Sequence, residues 1–236
     1  MKGKPAISGR VFSLRPQSQT MSVMGAKLPL LERTEFESRL RGCSVVELSD
    51  EAIQRLWIHY QEMVRWNPTV SLVGPGTVDE VVERHYGESL AAIPLLDPKW
   101  KVVVDIGSGA GFPGLVLAAV SPELEVVLVE SRERKCVFLE TVIRKSALPC
   151  TCLGARVGST PPEGLPAEID LVTSRGVSLL PSALESLAGR MNAGAGALFW
   201  VGTEAPDLPA GWTDRGGVML PGSRTRSILQ VRVEGD

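Results

Sequence analysis

The stretch Val102-Val-Val-Asp-Ile-Gly-Ser-Gly-Ala-Gly-Phe-Pro-Gly114 constrains this chain more than any other. Val102 to Asp105 form a short apolar run ending in a carboxylate, and glycines follow at 107, 109 and 111. Such a run reads as a buried strand feeding a turn whose backbone comes close to something bound. Gly107, Gly109 and Gly111 tolerate positive φ and place no Cβ between the chain and its ligand. The apolar stretch Leu115 to Val120 is helical in tendency, so the turn empties into a helix N-terminus with free N–H groups. Strand, glycine turn and helix together make a nucleotide-type cradle.

Gly109-Ala-Gly-Phe-Pro-Gly114 alone satisfies the dinucleotide fingerprint. Two details argue against a pyrophosphate. Asp105, two residues before the first glycine, would repel phosphate and suit an ammonium group. Pro113 removes an N–H donor that an anion would take from the entering helix. An amino acid joined to adenosine fits better, and S-adenosylmethionine (SAM) is that molecule. Glu125-Val-Val-Leu-Val-Glu130 reads as the second strand, ending in an acid about twenty residues beyond the turn, where a ribose diol is gripped. The alternative for Glu130 is a surface carboxylate capping the next helix.

With 236 residues, 44% hydrophobic, the chain is long enough for one sizeable core or one core plus a small helical lobe. No apolar run reaches bilayer length, so the expectation is a soluble, cytoplasmic monomer without a membrane partner. Formal net charge is −2, and any attraction to nucleic acid must therefore come from local patches. Cys43, Cys136, Cys150 and Cys152 do not fall in zinc spacing with His59 or His85, and are expected to be buried thiols without a metal. Residues 1–28 carry Lys2, Lys4, Arg10, Arg15 and Lys27 and no acid. They read as a disordered basic arm that touches RNA phosphates, has no role, or arises from a start upstream of Met21 or Met24.

The expected lobe covers 29–98 and the cofactor-binding domain 99–236. A first helix begins near Leu30 and ends at Gly42. Ser49 caps a second, on which Ile53, Leu56, Trp57, Tyr60, Met63 and Val64 recur at helical spacing until Asn67-Pro68 stops it. Thr77-Val-Asp-Glu80 reads as a capping box for a third helix carrying Arg84, His85, Glu88 and Ser89 to about Leu96. Beyond the glycine turn, Arg132 to Lys145 form a basic helix, its charges read as a solvated face or an RNA contact. Further strands follow at Pro149–Leu153, Ile169–Thr173 and Ala197–Val201, with a helix from about Pro181 to Met191. Gly217–Leu220 and Ser227–Val233 have no helix between them and predict a closing antiparallel hairpin.

From Trp66 onward the motif order resembles the bacterial 16S ribosomal RNA guanine-N7 methyltransferases, also called RsmG or glucose-inhibited division protein B. The resemblance rests on Trp66-Asn67 with Ser71-Leu72, Arg84-His85 with Glu88-Ser89-Leu90, Asp105 to Gly114, and Ser174-Arg175. It implies an α/β, Rossmann-like SAM-dependent methyltransferase fold, a mostly parallel twisted sheet with a C-terminal antiparallel hairpin and a small N-terminal helical lobe. It also implies SAM as methyl donor and ribosomal RNA, or the small ribosomal subunit, as partner. The family's cofactor positions fall on Gly107, Phe112, Val157, Gly158 and Arg175, with Glu130 at the ribose. Asp105, Ser108, Gly109 and Ser131 complete the expected cofactor set, and Arg84, His85 and Arg175 the substrate set. The chain departs from the pattern at Ser71 (asparagine in the family), Glu88 (aspartate), Gly158 (an acid) and Val201 (a lysine).

Guanine N7 is an acceptor with no proton to remove, so its methylation needs alignment and exclusion of water rather than a general base. No catalytic residue is therefore expected. Arg175 is expected to hold the guanine or a phosphate, and His85 either to meet the substrate or to brace the lobe. The competing functions are a SAM-dependent methyltransferase of a small molecule or another RNA, a non-catalytic SAM- or RNA-binding protein, and an NAD(P) oxidoreductase.

Overall fold

A computed structural model describes residues 25–176 and 181–234. The reading of residues 1–24 as a basic arm falls outside them. Gly25 to Leu28 do not belong to such an arm. Gly25 N–H donates to the Pro68 carbonyl, Asn67 Nδ2 donates to the Ala26 carbonyl, and Leu28 is buried in the core.

Seven strands form one sheet in the order β3-β2-β1-β4-β5-β7-β6. They are β1 Val102–Ile106, β2 Glu125–Glu130, β3 Cys150–Gly154, β4 Ile169–Arg175, β5 Met191–Val201, β6 Trp212–Met219 and β7 Ser227–Val233. The first five run parallel, and β7 pairs antiparallel with both β5 and β6. Helices cover both faces, which is why β1 and β2 read as unbroken apolar runs and not as alternating ones. The expected fold class and closing hairpin are both present.

The helices are α1 Arg33–Cys43, α2 Asp50–Val70, α3 Glu88–Leu90, α4 Gly114–Val120, α5 Glu133–Ser146 and α6 Pro181–Ala188. α2 packs on α5 and α4, so the lobe shares a core with the sheet. Phe36, Tyr60, Tyr86, Phe112 and Phe138 belong to one continuous cluster with Leu128 of β2. Leu184 and Leu187 of α6 fill the opposite face with Val104, Val172 and Phe199. Among the described residues no helix is long and apolar enough to cross a membrane.

Several boundaries differ from the sequence reading: α6 stops at Ala188 and β5 begins at Met191, where a helix to Met191 and a strand from Ala197 were expected, and β6 begins at Trp212 and not at Gly217. α2 passes through Pro68 and ends at Ser71, which takes the left-handed conformation at φ 52° and returns its N–H to the Asn67 carbonyl. Proline costs a helix most in its interior; in the last turn only one internal hydrogen bond is forfeited. The Thr77–Glu80 capping box does not form. Thr77 instead ends a short 3-10 turn and sends its hydroxyl to the Gly74 carbonyl, and the helix that follows has no side-chain cap. That helix opens as a π-helical stretch, Val82–Gly87, before tightening into α3.

Candidate functional site

In a sheet of order 3-2-1-4-5 the strand direction of growth reverses between β1 and β4, and the crevice beyond their carboxyl ends is where such sheets take ligands. A cavity of about 860 Å³ lies there. Its lining brings together Gly107, Ser108, Gly109, Phe112, Glu130, Ser131, Val157, Gly158, Arg175 and His85. Asp105 and Arg84 are not part of that lining.

The glycine turn adopts the expected conformation, with φ of 72° at Gly107, 59° at Gly109 and 93° at Gly111. Its N–H groups are spent within the protein. Gly107 and Ser108 donate to the Val129 carbonyl, Gly111 and Phe112 to that of Ser108, and Gly109 to Glu130 Oε2 at 3.0 Å. A pyrophosphate would find few free donors here, which is the structural argument against a dinucleotide.

The expected ammonium partner, Asp105, needs correction. Its carboxylate is fully buried, accepting from Thr173 Oγ1 at 2.7 Å and from Gly114 N–H at 3.3 Å. Burial lifts its pKa to about 6, with the hydrogen bond from Thr173 opposing. Asp105 therefore ties β1 to β4 and to the first turn of α4, one layer behind the cavity. The sequence places it at a strand end but does not say which face it takes.

Glu130 ends β2 inside the cavity and is itself 6% exposed. Besides Gly109, it accepts from Arg132 N–H at 2.8 Å through Oε1. A carboxylate oxygen has two acceptor positions, so each keeps room for a ribose hydroxyl. Cys136 Sγ donates to the Glu130 carbonyl at 3.1 Å and steadies the strand end from behind. All four cysteines are free thiols, and of them only Cys136 is fully buried.

On the lobe side, His85 stacks on Phe112 with ring centroids 5.1 Å apart, and its Nε2 meets Thr77 Oγ1 at 2.9 Å. Burial first, then Arg175 and Arg84, push its pKa down to about 3, so it is a neutral ring at physiological pH. Arg175 at the end of β4 donates to the Arg84 carbonyl and to Glu88 Oε2, both at 2.7 Å. Burial lowers its pKa to about 10 with Glu88 opposing, and it stays charged. Arg84 takes part through that carbonyl, while its guanidinium sits 3.1 Å from Glu88, away from the lining.

The sequence reading gave no part to His59, which pins the glycine turn. Its Nε2 meets the Ala110 carbonyl at 2.7 Å and its Nδ1 the Tyr86 hydroxyl at 3.0 Å. A carbonyl only accepts, so Nε2 carries the proton and Nδ1 accepts from Tyr86. Burial pushes its pKa down to about 4. The signal was its position on α2 one turn beyond Leu56, on the buried side. Arg156, at the end of the third strand beside the expected Val157 and Gly158, lines the cavity too, and so do Arg132 and Lys135, which were not expected there.

Sheet order, glycine turn and strand-end acid define a methyltransferase of the Rossmann-like class. TrmN from Thermus thermophilus superposes with a TM-score of 0.52 at 19% identity, over 63% of this chain and 48% of that one, about half its length. A SAM-dependent methyltransferase from Aquifex aeolicus does so at 0.50 and 17% identity, over 62% of this chain and 89% of that one. The sequence narrows the class further. The profile described as rRNA small subunit methyltransferase G matches residues 52–202. Proteins of that name from Paramagnetospirillum magneticum and Rhodospirillum centenum are 38% and 39% identical, covering 68% and 76% of this chain and 76% and 78% of theirs. The chain belongs to the rRNA small subunit methyltransferase G family, and it is an enzyme.

Proposed function

We propose that this enzyme transfers a methyl group from SAM to N7 of a guanine in 16S ribosomal RNA. The observation that carries the reading is Glu130, a carboxylate held at the end of β2 inside the cavity by the backbone of the glycine turn. Glu130 would take the ribose hydroxyls, the residues after β3 from Ala155 to Ser159 the adenine, and the turn from Gly107 to Phe112 the amino-acid end. The glycines fit that use: Gly107 and Gly109 line the cavity at positive φ, so no Cβ stands between their backbone and a ligand. When bound, SAM supplies an electrophilic methyl on a sulfonium.

The protein's own groups then orient and exclude. Phe112, His85, Leu72 and Val73 give an apolar and aromatic wall on the lobe side, against which a base can lie. Arg175 at the end of β4 is pre-oriented by Glu88 and the Arg84 carbonyl to meet the guanine or its phosphate. Among the described residues no side chain is poised as a general base. His85 is neutral and held by Thr77, and the Glu130 oxygens hold backbone N–H groups. An acceptor nitrogen needs none, so positioning supplies the rate. A cavity of about 860 Å³ lies toward the upper end of the roughly 300–1,000 Å³ typical of pockets for small molecules.

The test is transfer of a labelled methyl from SAM to small ribosomal subunits and to free 16S ribosomal RNA from a strain lacking the enzyme. Label mapping to N7 of a guanine is the expected result. Label on another atom, or none from protein that binds SAM, overturns the assignment.

A further inference from the structure

The cavity carries more positive charge than its cofactor can use. Among its described lining residues Glu130 is the single carboxylate, against Arg132, Lys135, Arg156 and Arg175. Arg175 has its partners in Glu88 and the Arg84 carbonyl. The other three have none: their side chains make no hydrogen bond or ion pair within the described protein. Glu130 accepts from the Gly109 and Arg132 N–H groups and makes no ion pair with any of the three, though its charge acts on Lys135 from a distance. Lys135 is half-buried, its Nζ 3.7 Å from where a Cβ on Gly109 would stand, so it reaches over the glycine turn. Burial pushes its pKa down, with Glu130 opposing and Arg132 adding to the depression. A desolvated ammonium with no bonded partner is an unfavourable arrangement unless an anion arrives.

Their place in the fold says which anion. Arg132 and Lys135 stand at the start of α5, just after β2, and Arg156 just after β3. That is the end of the cavity where Glu130 and the residues after β3 would hold adenosine, a neutral group. The one carboxylate of SAM belongs to its amino-acid end, which the glycine turn would hold. Binding the cofactor therefore leaves Arg132 and Arg156 without a counter-charge, whereas Lys135, reaching over that turn, is the one of the three that the carboxylate can meet. Arg132 and Arg156 are exposed, so a polyanion reaches them from outside while the cofactor stays in place. We infer that Arg132 and Arg156 form a phosphate-binding rim over which the RNA backbone runs, covering the adenosine end of the cavity while the reacting base enters beside Arg175. The inference rests on the methyltransferase reading above and adds the path of the RNA across the site.

The probe is a short single-stranded RNA, its affinity followed by fluorescence anisotropy across a salt series, with and without SAM. Each phosphate neutralised on a single strand adds roughly 0.7 to the slope of log affinity against log salt. The variant Arg132→Ala should lower the slope by about 0.7, one such increment for the cation removed, and should do so with SAM present as well as absent. An unchanged slope overturns the rim, and so does a difference that vanishes once SAM is added, because the cofactor would then be covering these cations. Calorimetric SAM titration of the same variant is expected within about threefold of the parent. Should that variant misfold, Arg156→Ala lies off α5 and should lower the slope by about 0.7. Failure of the parent to bind SAM sinks the cofactor reading. A parent that binds SAM and RNA with slopes indifferent to both cations sinks only the rim.

Discussion

Glu130 holds the glycine turn and faces the cavity with the same carboxylate, so its removal separates the two roles by magnitude. A charge-assisted hydrogen bond contributes roughly 1.5–3 kcal/mol, and Glu130→Ala should weaken SAM binding about 10- to 150-fold. Calorimetric titration checks this, and an unchanged affinity removes Glu130 from the site. The residue was legible in the sequence because a strand end some twenty residues past a glycine turn has one place to be in a βαβ unit. Asp105 was equally visible and was assigned to the wrong contact. Its strand position fixes its depth but not the hydroxyl of Thr173, 68 residues away, that claims its oxygen. His59 shows the converse. A histidine among apolar residues on α2 gives no hint that its partner is a carbonyl in a turn 51 residues on.

Elements defined by their own residues were read closely, and those defined by neighbours were not. β1, β2 and β4 are apolar runs whose burial on both faces follows from helices above and below. The π-helical stretch Val82–Gly87 had no such signature. There the Arg84 carbonyl accepts from Arg175, a bond that exists only once β4 is in place. Glycines divide in the same way. A Cβ on Gly114, at the start of α4, would meet Leu128 Cδ2 at 2.4 Å and Asp105 Oδ2 at 2.9 Å, whereas one on Gly158 meets nothing within 4 Å. Gly114→Ala should cost about 1–3 kcal/mol in a denaturant titration, the usual range for overpacking a filled core. Gly158→Ala should stay within roughly 0.5 kcal/mol. Equal costs at the two positions would mean that α4 moves off the sheet to make room.

At the scale of the whole molecule, one buried carboxylate joins three parts of the chain that are far apart in sequence. Glu88, 2% exposed, meets Arg84 on its own helix, Arg175 at the end of β4 and Arg226 just before β7. Its carbonyl also accepts from Trp200 Nε1 of β5 at 2.8 Å. A single negative charge among three guanidiniums leaves a local surplus, tolerable because the arginine side chains remain 33%, 15% and 27% exposed. Removing the carboxylate takes away the one charge that all three share; what remains is Glu80 beside Arg84 and the Arg84 and His85 carbonyls that accept from Arg175. Loss of one partner from a fully buried pair costs about 3–5 kcal/mol, and the exposure of these arginines places Glu88→Ala near the lower end, about 3 kcal/mol. Because the contact spans the lobe, β4 and the approach to β7, the loss should not stay local. Hydrogen exchange of the Val82–Leu90 amides and of those from 220 to 226 should accelerate together, while the β1–β2 ladder keeps its protection. SAM affinity should fall less than RNA affinity, since Arg175 loses its orientation on the side of the cavity away from Glu130. A destabilisation below about 1 kcal/mol, or exchange that quickens in only one of the two segments, would show that the lobe and the hairpin are held independently and that Glu88 orients Arg175 alone.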